Sequence, residues 1–419
     1  MAALSRHGAR LPVEDRAPAR AAPVVRSPVL RVLIVHNHYQ IRGGEDAVVE
    51  HEAAALAEAG CTVETLAFHN DDIRTPLDRL RTAFEAPHAP RGIARVVAAV
   101  ERFRPDVVHA HNTFPLVSPA MHGVVRALGP VTVQTLHNFR LACAGAMLMR
   151  DGAPCETCLT GSSYAAVRHG CYRGSRLGTF AVARMIDRHR RTGTWTRDVD
   201  AFVALTEFAR GRFIAAGLPA HRIFVKPNGL PDPGPPSQGP REGILFAGRL
   251  SPEKGVEILK GAGALLTAPV DVAGEGPLRE MLEGAPGLNL LGALPRAEMR
   301  ARMGRAVALV VPSLWYEGLP MVVAEAYAAG TPVIASRIGA LAGLVEDGVT
   351  GLLVTPGDPA DLAQAIERLR ARPEEARRMG VAARAAYLRD WTETATTTTL
   401  MTVYRSALAA RMRDGRAIA

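Results

Sequence analysis

Residues 315–336 read Trp315-Tyr316-Glu317-Gly318-Leu319-Pro320-Met321-Val322-Val323-Ala324-Glu325-Ala326-Tyr327-Ala328-Ala329-Gly330-Thr331-Pro332-Val333-Ile334-Ala335-Ser336. The pattern puts a short helix between two apolar strand-like runs, with one carboxylate ahead of the helix and one inside it. Pro320 suits the first helical position, where a missing N–H removes no hydrogen bond. Glu317 then sits in the loop and Glu325 about a turn and a half inside. Eight residues of helix rise about 12 Å, beyond the roughly 5 to 9.5 Å between the paired carboxyls of hydrolases. Two-carboxylate hydrolysis is therefore a poor fit. The helix N-terminus between the acids suits an anion: free N–H groups and the dipole hold a phosphate while the acids accept hydroxyl hydrogen bonds on either side. A sugar nucleotide has that layout of sugar hydroxyls, diphosphate and ribose hydroxyls.

A chain of 419 residues is too long for one ordinary core and implies two or three domains. Its 48% apolar content with few aromatics is that of a globular enzyme, and no run approaches the roughly 18 apolar residues of a spanning helix. The net charge of +9 favours an anionic partner, whether a sugar diphosphate or a membrane surface, although an Arg-rich solvated surface has the same sign. Nucleic acid is not expected, because the charge is diffuse and no basic patch is interleaved with aromatics. Residues 1–28 hold five Arg against one Glu and one Asp with no apolar h-region. They read as a disordered tail or a mis-assigned start, not a secretory signal.

From residue 29, Val29-Leu30-Arg31-Val32-Leu33-Ile34-Val35 reads as a buried parallel strand running into the loop His36 to Asp46, followed by a helix to about Ala59 that Gly60 stops. Strand, Gly-rich turn and helix form the first unit of a doubly wound fold. Further strands fall at 106–110, 131–136, 201–205 and 222–225, and this first domain spans 29–230. Residues 231–241 are too rich in proline for helix or ladder and read as the interdomain linker. Alternation resumes in a second α/β domain over 242–392, and a helix at 393–413 follows.

The ordered motifs of the second half resemble the Glu-x7-Glu retaining glycosyltransferases of family 4, which have the GT-B arrangement of two facing Rossmann-like doubly wound domains with a cleft between them. Phe246-Ala247-Gly248-Arg249-Leu250-Ser251-Pro252-Glu253-Lys254-Gly255 is similar to the family's Gly-Arg-Leu-x3-Lys-Gly diphosphate clamp. Gly274-Glu275-Gly276-Pro277 and Glu346-Asp347-Gly348-Val349-Thr350-Gly351-Leu352-Leu353-Val354 follow in the family's order. The resemblance extends more loosely over about 30–390. It implies transfer of a sugar from a nucleoside diphosphate sugar held by the second domain to a glycan or lipid-linked acceptor held by the first. It also implies that the C-terminal helix packs back on the first domain. The expected setting is cell-surface polysaccharide or glycolipid synthesis in the cytoplasm, at the inner face of the membrane.

Arg249 can grip two oxygens and Lys254 adds a mobile point charge, which suits a diphosphate whose charge grows on departure, and Gly248 lets backbone approach it. No convincing Asp-x-Asp metal-diphosphate motif stands out, consistent with the metal-independent GT-B enzymes that the chain resembles, and no cofactor is expected for catalysis. By resemblance Glu325 accepts the ribose hydroxyls, Glu317 contacts the donor sugar, and Gly318 and Leu319 donate N–H groups to phosphate. Gly274 and Gly276 either lie near the base or only shape a turn. Gly43 and Gly44 resemble the family's N-terminal glycine loop, and His137 its active-site histidine. His109 and His111, after another strand end, line the acceptor side or fill the core.

Two features stand outside that resemblance. Cys155-Glu156-Thr157-Cys158 is a Cys-x2-Cys knuckle, with Cys143 eleven intervening residues before it and Cys171 twelve after. Four such thiolates suit a structural zinc; the alternative is four unlinked thiols. Arg184, Arg188, His189, Arg190, Arg191 and Arg197 form a basic stretch for an anionic membrane or a solvated helix face. An epimerase or phosphorylase acting on a sugar nucleotide, and a non-catalytic sugar-nucleotide binding protein, are the rival functions.

Overall fold

A computed structural model describes residues 29–40, 43–237, 239–413 and 415. The expected tail at 1–28 lies outside the described residues. Six parallel strands build the first sheet: β1 (Arg31–His38), β2 (Thr62–His69), β3 (Val107–Asn112), β4 (Val131–Leu136), β5 (Ala201–Ala204) and β6 (Ile223–Val225), in the order β2-β1-β3-β4-β5-β6. Six more build the second: β7 (Ile244–Ala247), β8 (Val270–Ala273), β9 (Leu288–Gly292), β10 (Ala308–Val311), β11 (Val333–Ser336) and β12 (Gly351–Val354), in the order β9-β8-β7-β10-β11-β12. Both sheets are buried on both faces, as parallel sheets covered by crossover helices must be. Strand order reverses at β1/β3 and at β7/β10, which is where such sheets open a crevice beyond their strand C-termini.

Several boundaries differ from the sequence reading. β1 does not end with its apolar run at Val35 but continues through His36, Asn37 and His38, because β2 pairs with it as far as His69. β3 likewise extends to Asn112. Its pairing with β1 shifts between Val35 and His36, where Ala110 and then Asn112 are the partners, so His111 is the extra residue of a bulge. Pro320 is the N-cap of the Met321–Ala328 helix and not its first residue.

The chain crosses between the lobes twice, and the crossings are bonded side by side. The Leu230 N–H donates to the Trp391 carbonyl at 2.9 Å, and Tyr387 Oη donates to the Leu230 carbonyl at 2.8 Å. Residues 231–240 form no helix or strand among those described. Arg241 then fastens the chain to the second lobe through the Ala306, Ala329 and Gly330 carbonyls and the Thr331 hydroxyl. The Glu393–Arg413 helix lays Leu400, Val403, Tyr404 and Ala407 on one face of the first sheet, against Val32, Ile34 and Val133.

Candidate active site

In the second lobe, the loops leaving β7 and β10 meet at the switch point. Gly255 makes this contact possible: its φ is +70°, and a Cβ there would stand 1.8 Å from the Pro312 carbonyl oxygen. The Leu314 N–H donates to the Glu253 carbonyl at 2.9 Å, pinning one loop to the other. Lys254 Nζ consequently donates to Glu317 Oε1 at 2.6 Å, and Ser313 Oγ donates to the same oxygen at 2.9 Å. Glu317 is only 5% exposed, so this acid is held as an ion pair within the fold.

Other charges around it are uncommitted. The Arg249 side chain is exposed and has no hydrogen bond or ion pair among the described residues, and the N–H groups of Gly318 and Leu319 have no acceptor there. Glu325 is half-buried and equally unpartnered. Burial pushes its carboxyl above the usual range, with Arg296 and Arg300 pulling the other way. A cation, two amides and a carboxylate without partners among the described residues are groups suited to an anion and to hydroxyls.

The glycines divide into two kinds. A Cβ on Gly274 would fall 1.8 Å from the Gly248 carbonyl, and one on Gly276 would fall 2.3 Å from that of Leu250, so these two buttress the Arg249 loop from behind. At Gly248 a Cβ would meet only the Phe246 ring at 3.7 Å, and at Gly43 and Gly44 nothing within 4 Å. Nothing among the described residues requires glycine at the latter three, which border open space.

In the first lobe, the residues after β1, β3 and β4 form a buried polar network. Asp46 caps the Gly44–Glu58 helix by accepting from the Gly43 N–H at 2.8 Å, and its other oxygen meets His36 Nε2 at 2.8 Å and His38 Nδ1 at 3.0 Å. Lys226 forms an ion pair with Glu52, both nearly inaccessible. The second oxygen of Glu52 faces His111 Nε2 at 3.1 Å and His109 Nδ1 at 3.3 Å. His111 Nδ1 lies 2.9 Å from His137 Nε2. His109 is fully used, by Tyr404 Oη and Thr135 Oγ1, both at 2.7 Å. It is therefore a core tie to the C-terminal helix, while His111 is the link between Glu52 and His137. Burial holds His109 and His137 well below the ordinary imidazole value and lowers His36 to about 4. All three are neutral at pH 7.

The two clusters face each other. A Cβ on Gly318 would stand 2.7 Å from the His137 carbonyl oxygen, and the Tyr316 ring lies 4.7 Å from that of Phe208. The Asn228 amide points to Met321 Sδ at 3.8 Å. His137 thus borders the same gap as Glu317, Gly318 and Lys254.

Sequence reading singled out neither Glu52 nor Lys226, nor Asp46, His36 and His38 as a set. Lysine usage was the available signal: the chain has only three, Lys226, Lys254 and Lys260, and two of them pair with a glutamate at a lobe's switch point. The expected basic stretch does not act as one surface. His189 is buried, Arg190 donates to the carbonyls of Gly161, Ala142, Cys158 and Leu159, and Arg184 and Arg197 also bond backbone carbonyls.

The five cysteines are free. Cys143, Cys155, Cys158 and Cys171 gather in one unit, where burial and then the sulfurs of Cys143, Cys171 and Cys155 push Cys158 up to about 11. Among the described residues, ligand atoms within 4.8 Å of one another occur in the trios His36, His38, Asp46 and Glu52, His109, His111; the thiols are less tightly drawn together. Both trios are already held internally, by a helix cap and by Lys226.

Comparison with known proteins agrees with this geometry. The family described as "Glycosyl transferase 4-like domain" matches residues 43–229, and "Glycosyl transferases group 1" matches residues 241–372. A glycogen synthase of Mycobacterium tuberculosis is 37% identical over 177 residues, covering 39% of this chain and 42% of that protein. An alpha-D-kanosaminyltransferase of Streptomyces kanamyceticus is 34% identical over 148 residues, covering 32% of this chain and 38% of that protein. The chain spans less than half of the length of these curated relatives. Among solved structures, Anabaena HepE in complex with UDP superposes with a TM-score of 0.62 at 19% identity, covering 90% of this chain and 100% of that one. The sucrose-phosphate synthase of Thermosynechococcus elongatus does so with 0.66 at 20%, covering 91% and 100%. Two doubly wound lobes, each matched by a glycosyltransferase family, place this chain among the GT-B glycosyltransferases of the family 4 type.

Proposed function

We propose that the protein is a retaining glycosyltransferase that moves a sugar from a nucleoside diphosphate sugar to a glycan or lipid-linked acceptor. The observation that carries this reading is the Lys254–Glu317 pair set beside the free N–H groups of Gly318 and Leu319 and the exposed Arg249, across the gap from His137. Arg249, Lys254 and the amides hold the diphosphate and stabilise its growing charge, the part a divalent cation plays elsewhere, so the chemistry runs without metal. Glu325 accepts the ribose hydroxyls. Glu317, fixed by Lys254 and Ser313, orients the donor sugar and is poorly suited to be a nucleophile. His137, neutral and aligned through His111, contacts the donor sugar from the first lobe, and His111 supports the acceptor side.

Peripheral contact with an anionic membrane fits the surface of the first lobe. Leu77, Leu80 and Phe84 are 73%, 69% and 74% exposed along one face of the Pro76–Glu85 helix, and Leu177 stands 85% exposed at the start of the Arg176–Arg191 helix packed beside it. Arg79 and Arg176, the sequence neighbours of Leu80 and Leu177, are exposed, as is Arg188 further along the second helix. Apolar anchors with exposed Arg on the same helices suit a bilayer carrying a lipid-linked acceptor, in cell-surface polysaccharide or glycolipid assembly at the inner face of the membrane. No helix among the described residues is long and apolar enough to cross a membrane.

The test is thermal stabilisation by UDP, GDP, ADP and dTDP in parallel, since a ligand at a hundred times its Kd adds about 2.7 kcal/mol. Transfer from the matching nucleotide sugar, with retained anomeric configuration by NMR and no response to omitted divalent cation, supports the reading. Epimerised donor without acceptor, or released sugar phosphate, would replace it with the rival enzyme classes. Binding without turnover would make the protein a sugar-nucleotide binder.

A further inference from the structure

Residues 138–174 fill the space after His137 with little regular structure: a two-residue ribbon (Met149–Arg150 with Ala153–Pro154) and two short helices (Thr157–Thr160 and Ala165–His169). Four of the six non-glycine residues at positive φ described in the chain lie here, namely Ala146, Leu148, Asp151 and Arg173. Backbone in that region is disfavoured for residues with a Cβ, and a segment this poor in helix and strand needs another tie to hold it. The four cysteines are placed to supply one. Cys158 and Cys171 pack in the same apolar cluster, next to Ala144, and a Cβ on Gly145 would stand 3.7 Å from that of Cys171. Cys155 and Cys158 bracket the knuckle, where the Thr157 hydroxyl lies 3.5 Å from Cys155 Sγ and the backbone of Thr157 bonds the same sulfur.

We propose that Cys143, Cys155, Cys158 and Cys171 bind one structural zinc ion that ties residues 138–174 together at the seam between the lobes. Side-chain rotation would draw the sulfurs to about 2.3 Å from the metal, releasing the thiol protons to solvent. The resulting four thiolates and one Zn²⁺ carry two net negative charges, and cations stand ready: Arg150 lies within electrostatic reach of Cys155 and Cys171, and Arg190 Nη2 donates to the Cys158 carbonyl at 2.7 Å.

The knuckle also reaches the seam itself. Glu156, between the two cysteines, accepts both bonds from Arg212 Nη1 at 2.8 and 2.9 Å and lies beside the Tyr316 hydroxyl, one residue before Glu317. A metal that fixes the knuckle therefore fixes a contact to the loop of the opposite lobe.

The experiment uses the full chain purified under reducing conditions without chelator. Elemental analysis should find about one zinc per chain, and growth on cobalt should give the sulfur-to-metal charge-transfer band and the intense d–d bands of a tetrahedral thiolate site. The Cys155→Ser/Cys158→Ser double variant should lose both, and a chelator should lower the Tm of the unaltered protein, with recovery on added Zn²⁺ and not Mg²⁺. Less than about a tenth of a zinc per chain with five titratable thiols, or two disulfides in their place, overturns the proposal. Metal content and spectrum are read without substrate, so they stand apart from any failure to detect glycosyl transfer.

Discussion

The two switch points are built from the same fold element and each holds a Lys–Glu pair, but the groups around those pairs differ. All thirteen histidines of the chain lie within its first 221 residues, and six of them crowd the ends of β1, β2, β3 and β4. The second lobe has none. Its crevice carries permanent charge, with Arg249 and Glu325 left unpaired and Lys254 on Glu317. The first lobe draws its histidines and acids into contact with one another, with Glu52 Oε1, His111 Nε2, His36 Nδ1 and Asn37 Oδ1 buried there without a hydrogen bond, whereas Arg249 and Glu325 of the second have no side-chain partner among the described residues. Polar groups packed against one another rigidify one wall, and side chains without a partner on the other are free to take a ligand.

Acid should separate the two walls by the widest margin. His36, His122 and His189 are each lowered to about 4, and His109 and His137 are held well below the ordinary value, in every case chiefly by burial. The unfolded chain takes up protons near pH 6.5 that the folded lobe refuses, so stability is full above about 6.5 and falls as pH drops toward 4. Glu45, raised to about 8 by burial, opposes this with a single proton. Hydrogen exchange at pH 5 should show the first lobe opening while the second stays protected. Equal loss of protection in both would end the contrast.

Glu52→Ala strips the buried partner from Lys226 and should cost about 3–5 kcal/mol of stability in denaturant unfolding. The imidazole His137 should also change tautomer or orientation, visible in ring ¹⁵N shifts. An unchanged midpoint would mean that the pair is not buried in solution.

Lys254→Ala removes a clamp charge and leaves Glu317 unpaired. It should lower kcat/KM by roughly 10²- to 10³-fold with the nucleotide-sugar donor, with a smaller loss of stability than Glu52→Ala, because Lys254 is 27% exposed and Ser313 remains on Glu317. Turnover within twofold would remove Lys254 from the site.

Glu325→Gln should weaken nucleotide binding by about 10- to 100-fold, the worth of a hydrogen bond to a charged group, while raising the Tm of the free protein at pH 7. The second effect follows from sign: burial raises this carboxyl, so its charged form destabilises the fold above the ordinary carboxylate range and does so no longer once pH falls below it. A lower Tm for the variant would show that Glu325 has a partner in the free protein.

Glu317, Gly318 and Glu325 were readable because a loop acid, a proline and an apolar run mark a helix start by local rules. Gly274 and Gly276 were readable as glycines, yet their buttressing of the Arg249 loop depends on backbone from a neighbouring strand. The ends of β1 and β3 were not readable. Hydropathy stops at Val35 and Ala110, while hydrogen bonding to neighbouring strands continues through residues whose polarity belongs to the site.

The sequence by itself determined two doubly wound lobes, the clamp motif and the helix that follows it, since period, glycine placement and proline act over a few residues. Only the tertiary structure decided that Lys226 pairs with Glu52 across 174 positions, that His109 turns to Tyr404 while His111 turns to His137, and that Arg184, Arg190 and Arg197 of the basic stretch bond backbone carbonyls. Pairing between distant side chains depends on which strands become neighbours. Strand order is set by the packing of the whole lobe and by no single segment of it.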